Sequence, residues 1–463
     1  MERSVNNNTY QKNPHLLYIA CGIASLGGLL YGYNLATVAG AILFIEEQFH
    51  LSPFLEEIII SIALLGAMIG AFIGGHIVDK IGRRKIIIVA ALISILGAII
   101  SSFGLNVVSI IFGRVIVGFG FGIISFAVPL YISEIAPVGM RGLLVSLFSL
   151  LHFGGILISY IVDFAFSGTG GWRWMFGLAI IPAIILGVGM IFMPSSPRWL
   201  LKKGMLEKAR NVLIKIRGDS NVEDEIKSIQ KTVAQKSPGY SDLVRQMVKP
   251  ALILGIGLGV IRQLTGVGIA TLYSPIVFGF SGFSSASVDI LATVGVGAVF
   301  VLTTILVMFL VDRTGRRPLM LTGLVGMAFC LGVLGLVFIM PHQFMGLLKW
   351  LTVGSMMFFS AFFVLGPGSI SLLVISEIFP LNVRGLAISI STLALWASYL
   401  LTSMTFLTLI QFFGRSVTFW LFGLICLAAF LFVYFLMPET KGKSLEEIEE
   451  FWYSCKKARE IDN

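Results

Sequence analysis

Twelve times along the chain, a mostly apolar run is bounded by charge or by Gly and Pro. The runs lie near 16–36, 58–78, 86–104, 107–127, 143–165, 174–193, 250–272, 288–311, 319–340, 347–374, 385–411 and 416–437. About 20 residues is what an α-helix needs to cross a bilayer's hydrocarbon core. Twelve such runs make lipid the main solvent and predict an all-α membrane protein with twelve transmembrane helices. Charged residues are 12% of the 463, against about 25% in a soluble domain, too few to cover a water-facing surface. A disordered chain, a nucleic-acid-binding arm and a disulfide scaffold are excluded on the same numbers. The 51 glycines suit helices that pack closely within a membrane.

The formal charge of +9 is explained by where the basic residues sit. With the N-terminus inside, 28 of the 33 Lys and Arg fall in inner segments. Arg173, Lys349 and Arg415 fall outside, and Arg114 and Arg262 within spans. The opposite orientation would reverse a strong positive-inside bias, so both termini are expected in the cytoplasm. Residues 1–14 are polar, without the character of a cleaved signal, and the Asn7-Asn8-Thr9 acceptor text is a chance match in a cytoplasmic tail. Cys21, Cys330, Cys426 and Cys455 have no metal-ligand spacing and read as packing residues. Between Pro197 and Lys249 the chain turns polar and basic, with helix-like stretches at 205–218 and 222–233. This stretch divides the spans into six plus six.

The halves repeat each other. Asp79-Lys80-Ile81-Gly82-Arg83-Arg84-Lys85 after the second span is matched by Asp312-Arg313-Thr314-Gly315-Arg316-Arg317 after the eighth. Ser133-Glu134-Ile135-Ala136-Pro137 with Arg141-Gly142 after the fourth is matched by Ser376-Glu377-Ile378-Phe379-Pro380 with Arg384-Gly385 after the tenth. Two repeats in register across six-span halves are the mark of a secondary transporter, whose site lies at the repeat interface near mid-membrane. Asp79, Arg83, Arg84, Arg114, Glu134, Arg141, Asp312, Arg316, Arg317, Glu377 and Arg384 are the candidate gating residues. Arg141 and Arg384 are expected to reach Glu134 and Glu377, or the Asp79 and Asp312 loops, locking the inner face in one state. The alternative is that these arginines only hold the spans in topology.

These loops resemble those of the major facilitator superfamily, and further texts resemble its sugar porter branch. They are Pro194-Ser195-Ser196-Pro197-Arg198, Pro438-Glu439-Thr440-Lys441-Gly442, Gly113-Arg114, Gln263-Leu264-Thr265-Gly266 and Gly366-Pro367-Gly368. The resemblance covers about residues 16 to 450. It implies two six-helix bundles, at 16–193 and 250–437, joined by a cytoplasmic linker at 194–249. Tails at 1–15 and 438–463, a small intracellular helical domain and alternating access around a central site complete the picture.

The sugar-contacting pattern of that family is only partly kept. Ser149 stands where hexose- and pentose-binding members carry Gln. The span-seven text reads Arg262-Gln263-Leu264-Thr265-Gly266-Val267-Gly268, without one Gln and the Asn. Phe300, Val364, Leu372 and Leu395 replace other polar or aromatic contacts, while Gln263, Tyr273 and Trp396 survive. A sugar hydroxyl buried without a partner costs about 1–3 kcal/mol, so other residues must contribute. The candidate substrate-binding set is Gln263, Arg262, Ser149, His152, Tyr273, Trp396, Gly268 and Asn34. His152 lies three residues after Ser149 on the same helical face; it either lines the cavity or is a satisfied packing residue. Arg262 is an intramembrane charge; it either receives an anionic or carbonyl-bearing substrate or packs against backbone carbonyls. Asp163, near the end of span five, reads as interfacial.

Asn34 occupies the position of an Asp in the family's proton symporters and cannot titrate, which favours facilitated diffusion. No nucleophile–base spacing, metal cluster or phosphate-cradling loop is present, so neither an enzyme nor an ATP-driven pump is expected. No cofactor and no nucleic-acid partner are implied. The expected product is a monomeric carrier of a monosaccharide or polyol, with a small organic anion held by Arg262, or a proton symporter with a non-standard proton site, as alternatives. The absence of a long outer loop favours a bacterial inner membrane.

Overall fold

The computed structural model describes residues 14–218, 221–233, 249–283, 285–341, 345–379 and 383–442. Among them there are helices and turns and no strand. The helices of the first half are α1 (Pro14–Ala36), α2 (Val38–Phe49), α3 (Pro53–Ile81), α4 (Arg83–Ser102), α5 (Val107–Ile135), α6 (Arg141–Ser167), α7 (Trp172–Gly177) and α8 (Ile180–Phe192). Three short helices follow, α9 (Pro197–Lys202), α10 (Leu206–Arg217) and α11 (Glu223–Val233). The second half holds α12 (Lys249–Leu264), α13 (Val267–Leu272), α14 (Ser274–Phe280), α15 (Ala286–Thr314), α16 (Arg316–Val337) and α17 (Met345–Phe363). A π-turn at Val364–Gly368 leads into α18 (Ser369–Glu377), and α19 (Arg384–Leu436) closes the described chain.

Eleven helical stretches among the described residues are long and apolar enough to cross a membrane. The longest of them leaves helical geometry at Gly414 (φ 79°, ψ 165°) and so makes two passes. The first apolar run does not stop at 36. Thr37 keeps helical angles, Thr37 N–H bonds Tyr33 O at 3.0 Å, and the helix continues to Phe49 before His50 turns left-handed at φ 48°. Val38–Ile45 are apolar enough to be buried, so the chain has no reason to break at 36.

Local chemistry sets the ends. Ser52 accepts Leu55 N–H to start α3, and Asn106 with Ser109 forms a reciprocal cap on α5. The reversals after α3 and α15 fall on Gly82 (φ 93°) and Gly315 (φ 99°), angles that suit only glycine. That is why both copies of the repeated loop carry Gly. Within the first bundle α1 and α6 touch backbone to backbone, and a Cβ on Gly32 would lie 1.9 Å from His152 O.

The two halves meet along a seam. Phe153 stacks on Phe300 at 5.3 Å, and Tyr160 donates to Thr271 O at 2.8 Å. Ser167 bonds Ser287 at 2.8 Å, and Glu57, 1% exposed, accepts Thr408 N–H at 2.8 Å and Thr408 O–H. These contacts lie mid-membrane or toward the end opposite the repeated basic loops. The far end is thus closed, while the hydrogen bonds and ion pairs described at the basic end stay within a half.

Candidate functional site

Near mid-membrane the seam is lined by aromatic rings from both halves. Tyr31 stacks on His152 (4.2 Å) and on Phe121 (5.3 Å), and both Tyr31 and Phe121 reach Trp396 of α19, at 6.1 and 6.2 Å. Trp396 continues onto Tyr399, one turn along. Tyr399 O–H is 2.8 Å from Thr271 Oγ1, so the cage is tied to α13. Flat faces suit the C–H faces of a sugar ring, and polar groups between them set its orientation.

Those polar groups come from a break in the chain. Span seven is interrupted at Gly266 (φ 96°), and Arg262 and Gln263 stand on the last turn before it. Span ten is wound as a π-turn at Val364–Gly368. Arg262 bridges the irregular segments, Nη1 donating to Gly368 O at 2.5 Å. Interrupted helices of this kind typify transporter sites. Gln263 is 5% exposed with Oε1 unpartnered, and His152 Nδ1 is likewise unpartnered. Arg262 is half-buried and has no carboxylate within ion-pair distance among the described residues.

The remaining expected contacts are placed differently. Ser149 is exposed, one turn nearer the basic end than His152. Tyr273 is fully buried, its hydroxyl on Ser403 O and its ring against Phe406. Gly268 is buried beside Ser403 and Tyr399. Asn34 is 2% exposed; its carbonyl accepts Arg114 Nη1 at 2.9 Å and its Nδ2 is unpartnered. Arg114 lies over the Phe176 ring. Asp163 is not interfacial. It is 0% exposed, with Thr37 Oγ1 donating to Oδ1 at 3.2 Å and Oδ2 against Gly40 without a partner. The α2 extension, which the apolar pattern of span one did not foretell, covers it. Tyr31, Phe121 and Tyr399 were missed by sequence reasoning; Tyr399, three residues after Trp396, was within reach of helical spacing.

At the basic end each half carries its own ion cluster. Arg83 bonds Asp79 (2.8 Å) and Glu134 (2.9 Å); Arg316 bonds Asp312 (3.4 Å) and Glu377 (3.3 Å). Ser196 donates to Glu134, and Thr440 to Glu377 at 2.6 Å, in matching positions after Pro194 and Pro438. Arg84 caps α8 through Met190 O and Ile191 O, and Arg317 donates to Tyr434 O. Arg141 is exposed in this state, which is closed at the far end, and Arg83 and Ser196 bond Glu134. The Arg384 side chain lies outside the described residues. Below the first bundle α9–α11 pack around Leu200, Leu213 and Ile226, and Arg217 ties them to Ile135 O at 2.8 Å and to Glu225.

Comparison with known proteins decides the family. The profile described as "Sugar (and other) transporter" matches residues 20–452. The chain belongs to the sugar porter family. This sugar porter is 38% identical over 430 residues to the D-xylose transporter of Levilactobacillus brevis, covering 92% of this chain and 93% of that one. It is 35% identical over 454 residues to the galactose-proton symporter of Escherichia coli K12, covering 97% of each. Among solved structures, the inward-open xylose transporter XylE of E. coli superposes with a TM-score of 0.81 at 29% identity, covering 94% of this chain and 100% of that one. The sugar porter is therefore a multi-pass membrane transporter of the major facilitator fold and not an enzyme.

Proposed function

We propose that this sugar porter carries a monosaccharide across a bacterial inner membrane by alternating access, with the basic end in the cytoplasm. One observation carries the reading: Gln263, next in the chain to the Arg262 that faces Tyr31, Tyr399 and His152 of the ring cage, has its side-chain carbonyl buried and unpartnered, as a hydroxyl-binding group needs. The described state, closed at the far end, is then the one that exchanges sugar with the cytoplasm. Counterflow of labelled D-xylose, D-galactose and D-glucose in proteoliposomes tests the reading. Exchange of at least one is expected, and silence for every monosaccharide offered would end it.

For coupling, the symporter among the relatives supports proton symport over the uniport that Asn34 alone favours. Since Asn34 cannot titrate, the proton is assigned to Asp163, a buried carboxyl beside the same stretch of the first span, with Tyr33 and Tyr160 as its titratable neighbours. An imposed proton gradient is expected to concentrate sugar in the wild type. In Asp163→Asn it is expected not to, while counterflow persists. Accumulation that survives the substitution would remove Asp163 from the coupling.

A further inference from the structure

Arg262 places a fixed positive charge beside a site otherwise lined by rings and neutral polar groups. The ionisable groups that face it are Tyr31, Tyr399 and His152, and none of them is a carboxylate. Arg262 is half-buried, and a guanidinium within a membrane span is best answered by anions or carbonyls. Here one carbonyl answers it, Gly368 O, and it uses Nη1. That bond fixes the side chain and leaves the Nε–Nη2 edge, the edge that grips a carboxylate through two parallel hydrogen bonds. A neutral sugar offers this edge only hydroxyls, which answer the charge weakly. A carboxylate answers it fully.

We infer that the preferred cargo is a monosaccharide bearing a carboxylate, a uronic or aldonic acid. Arg262 binds the carboxylate, and Gln263 and His152 take hydroxyls. This rests on the reading of the chain as a monosaccharide carrier and narrows it. The purely structural role for Arg262, a tether between α12 and the π-turn, makes a different prediction: its loss would weaken all substrates equally.

The test compares binding to the full-length purified protein, by ligand-induced thermal stabilisation and by proteoliposome counterflow. The probes are D-glucuronate, D-galacturonate and D-gluconate, set against D-glucose, D-xylose and acetate. The wild type is expected to bind at least one sugar acid about ten- to a hundredfold more tightly than its neutral counterpart, the worth of one charge-assisted pair. In Arg262→Gln the ratio of acid to neutral binding is expected to fall to about one, and in Arg262→Lys, which keeps charge without the fork, to lie between. Neutral sugars bound in preference to acids, or a ratio unchanged in Arg262→Gln, would overturn the inference and leave monosaccharide transport standing. Acetate binding as well as a sugar acid would also overturn it. Failure of every sugar, acid or neutral, would remove the underlying reading instead. If Arg262→Gln does not fold, the wild-type ratio alone decides.

Discussion

Glu57→Gln is the sharpest test of how the far end closes. Glu57 of α3 is buried and receives both the N–H and the O–H of Thr408, across the seam from α19. Gln has the same shape; its Oε1 still accepts Thr408 N–H and its NH2 can donate to the Thr408 hydroxyl, which turns to accept. Both contacts then become neutral hydrogen bonds. A hydrogen bond to a charged group is worth about 1.5–3 kcal/mol against about 0.5–1.5 kcal/mol for a neutral one, a loss of about 2–3 kcal/mol over the two, and each 1.4 kcal/mol is about tenfold in an equilibrium. Both bonds need α3 and α19 in contact, so the whole loss falls on the far-closed state. The open-to-closed ratio at the far end should rise roughly ten- to a hundredfold. Ser167→Cys gives the readout, since Ser167 is buried in the closed seam against Ser287. Its labelling by a membrane-impermeant maleimide should be about tenfold faster or more in the Glu57→Gln background. Subtracting the labelling of the parent with Ser167 intact removes the native cysteines. An unchanged rate, with both proteins melting at the same temperature, would refute the assignment of Glu57 as the closing contact.

Gly32→Val should lower the melting temperature in detergent, since the new side chain must enter the α1–α6 contact; overpacking costs about 1–3 kcal/mol, and an unshifted melt would contradict the geometry. Arg83→Ala leaves the buried Glu134 with Ser196 as its described partner, while Asp79 keeps Lys202. Breaking such a pair costs about 3–5 kcal/mol, read as loss of folded protein on heating, and Arg83→Lys should recover part of it. Arg217→Ala releases the linker helices from Ile135 O and Glu225. Faster proteolysis between α9 and α11 is expected, with transport per folded molecule nearly unchanged; equal cleavage rates would argue against the tether.

The twelve-pass plan was legible because lipid leaves the backbone one economical choice and the apolar runs write it out. Internal duplication was legible because Gly82 and Gly315 are both held at angles that exclude other residues. The length of the first span was not. The last helix turns at Gly414, between the runs read at 385–411 and 416–437, but α2 extends the first span because Thr37 tolerates helix. In the site, Arg262, Gln263, His152 and Trp396 come together across α12, α6 and α19. Tyr273 is buried against Ser403 and Phe406, and Asp163 is hidden by a helix that the apolar pattern ended too early.

The turn at Gly414 has a consequence for anyone raising reagents against this protein. Two complete membrane passes are joined there with barely a residue to spare, and Gly104 to Asn106 similarly link α4 to α5. At these two joins that face presents almost no relief for an antibody or a designed binder to grip. The helices α9 to α11 on the other face are the foothold, so useful binders will be found by immunising or selecting with that side displayed.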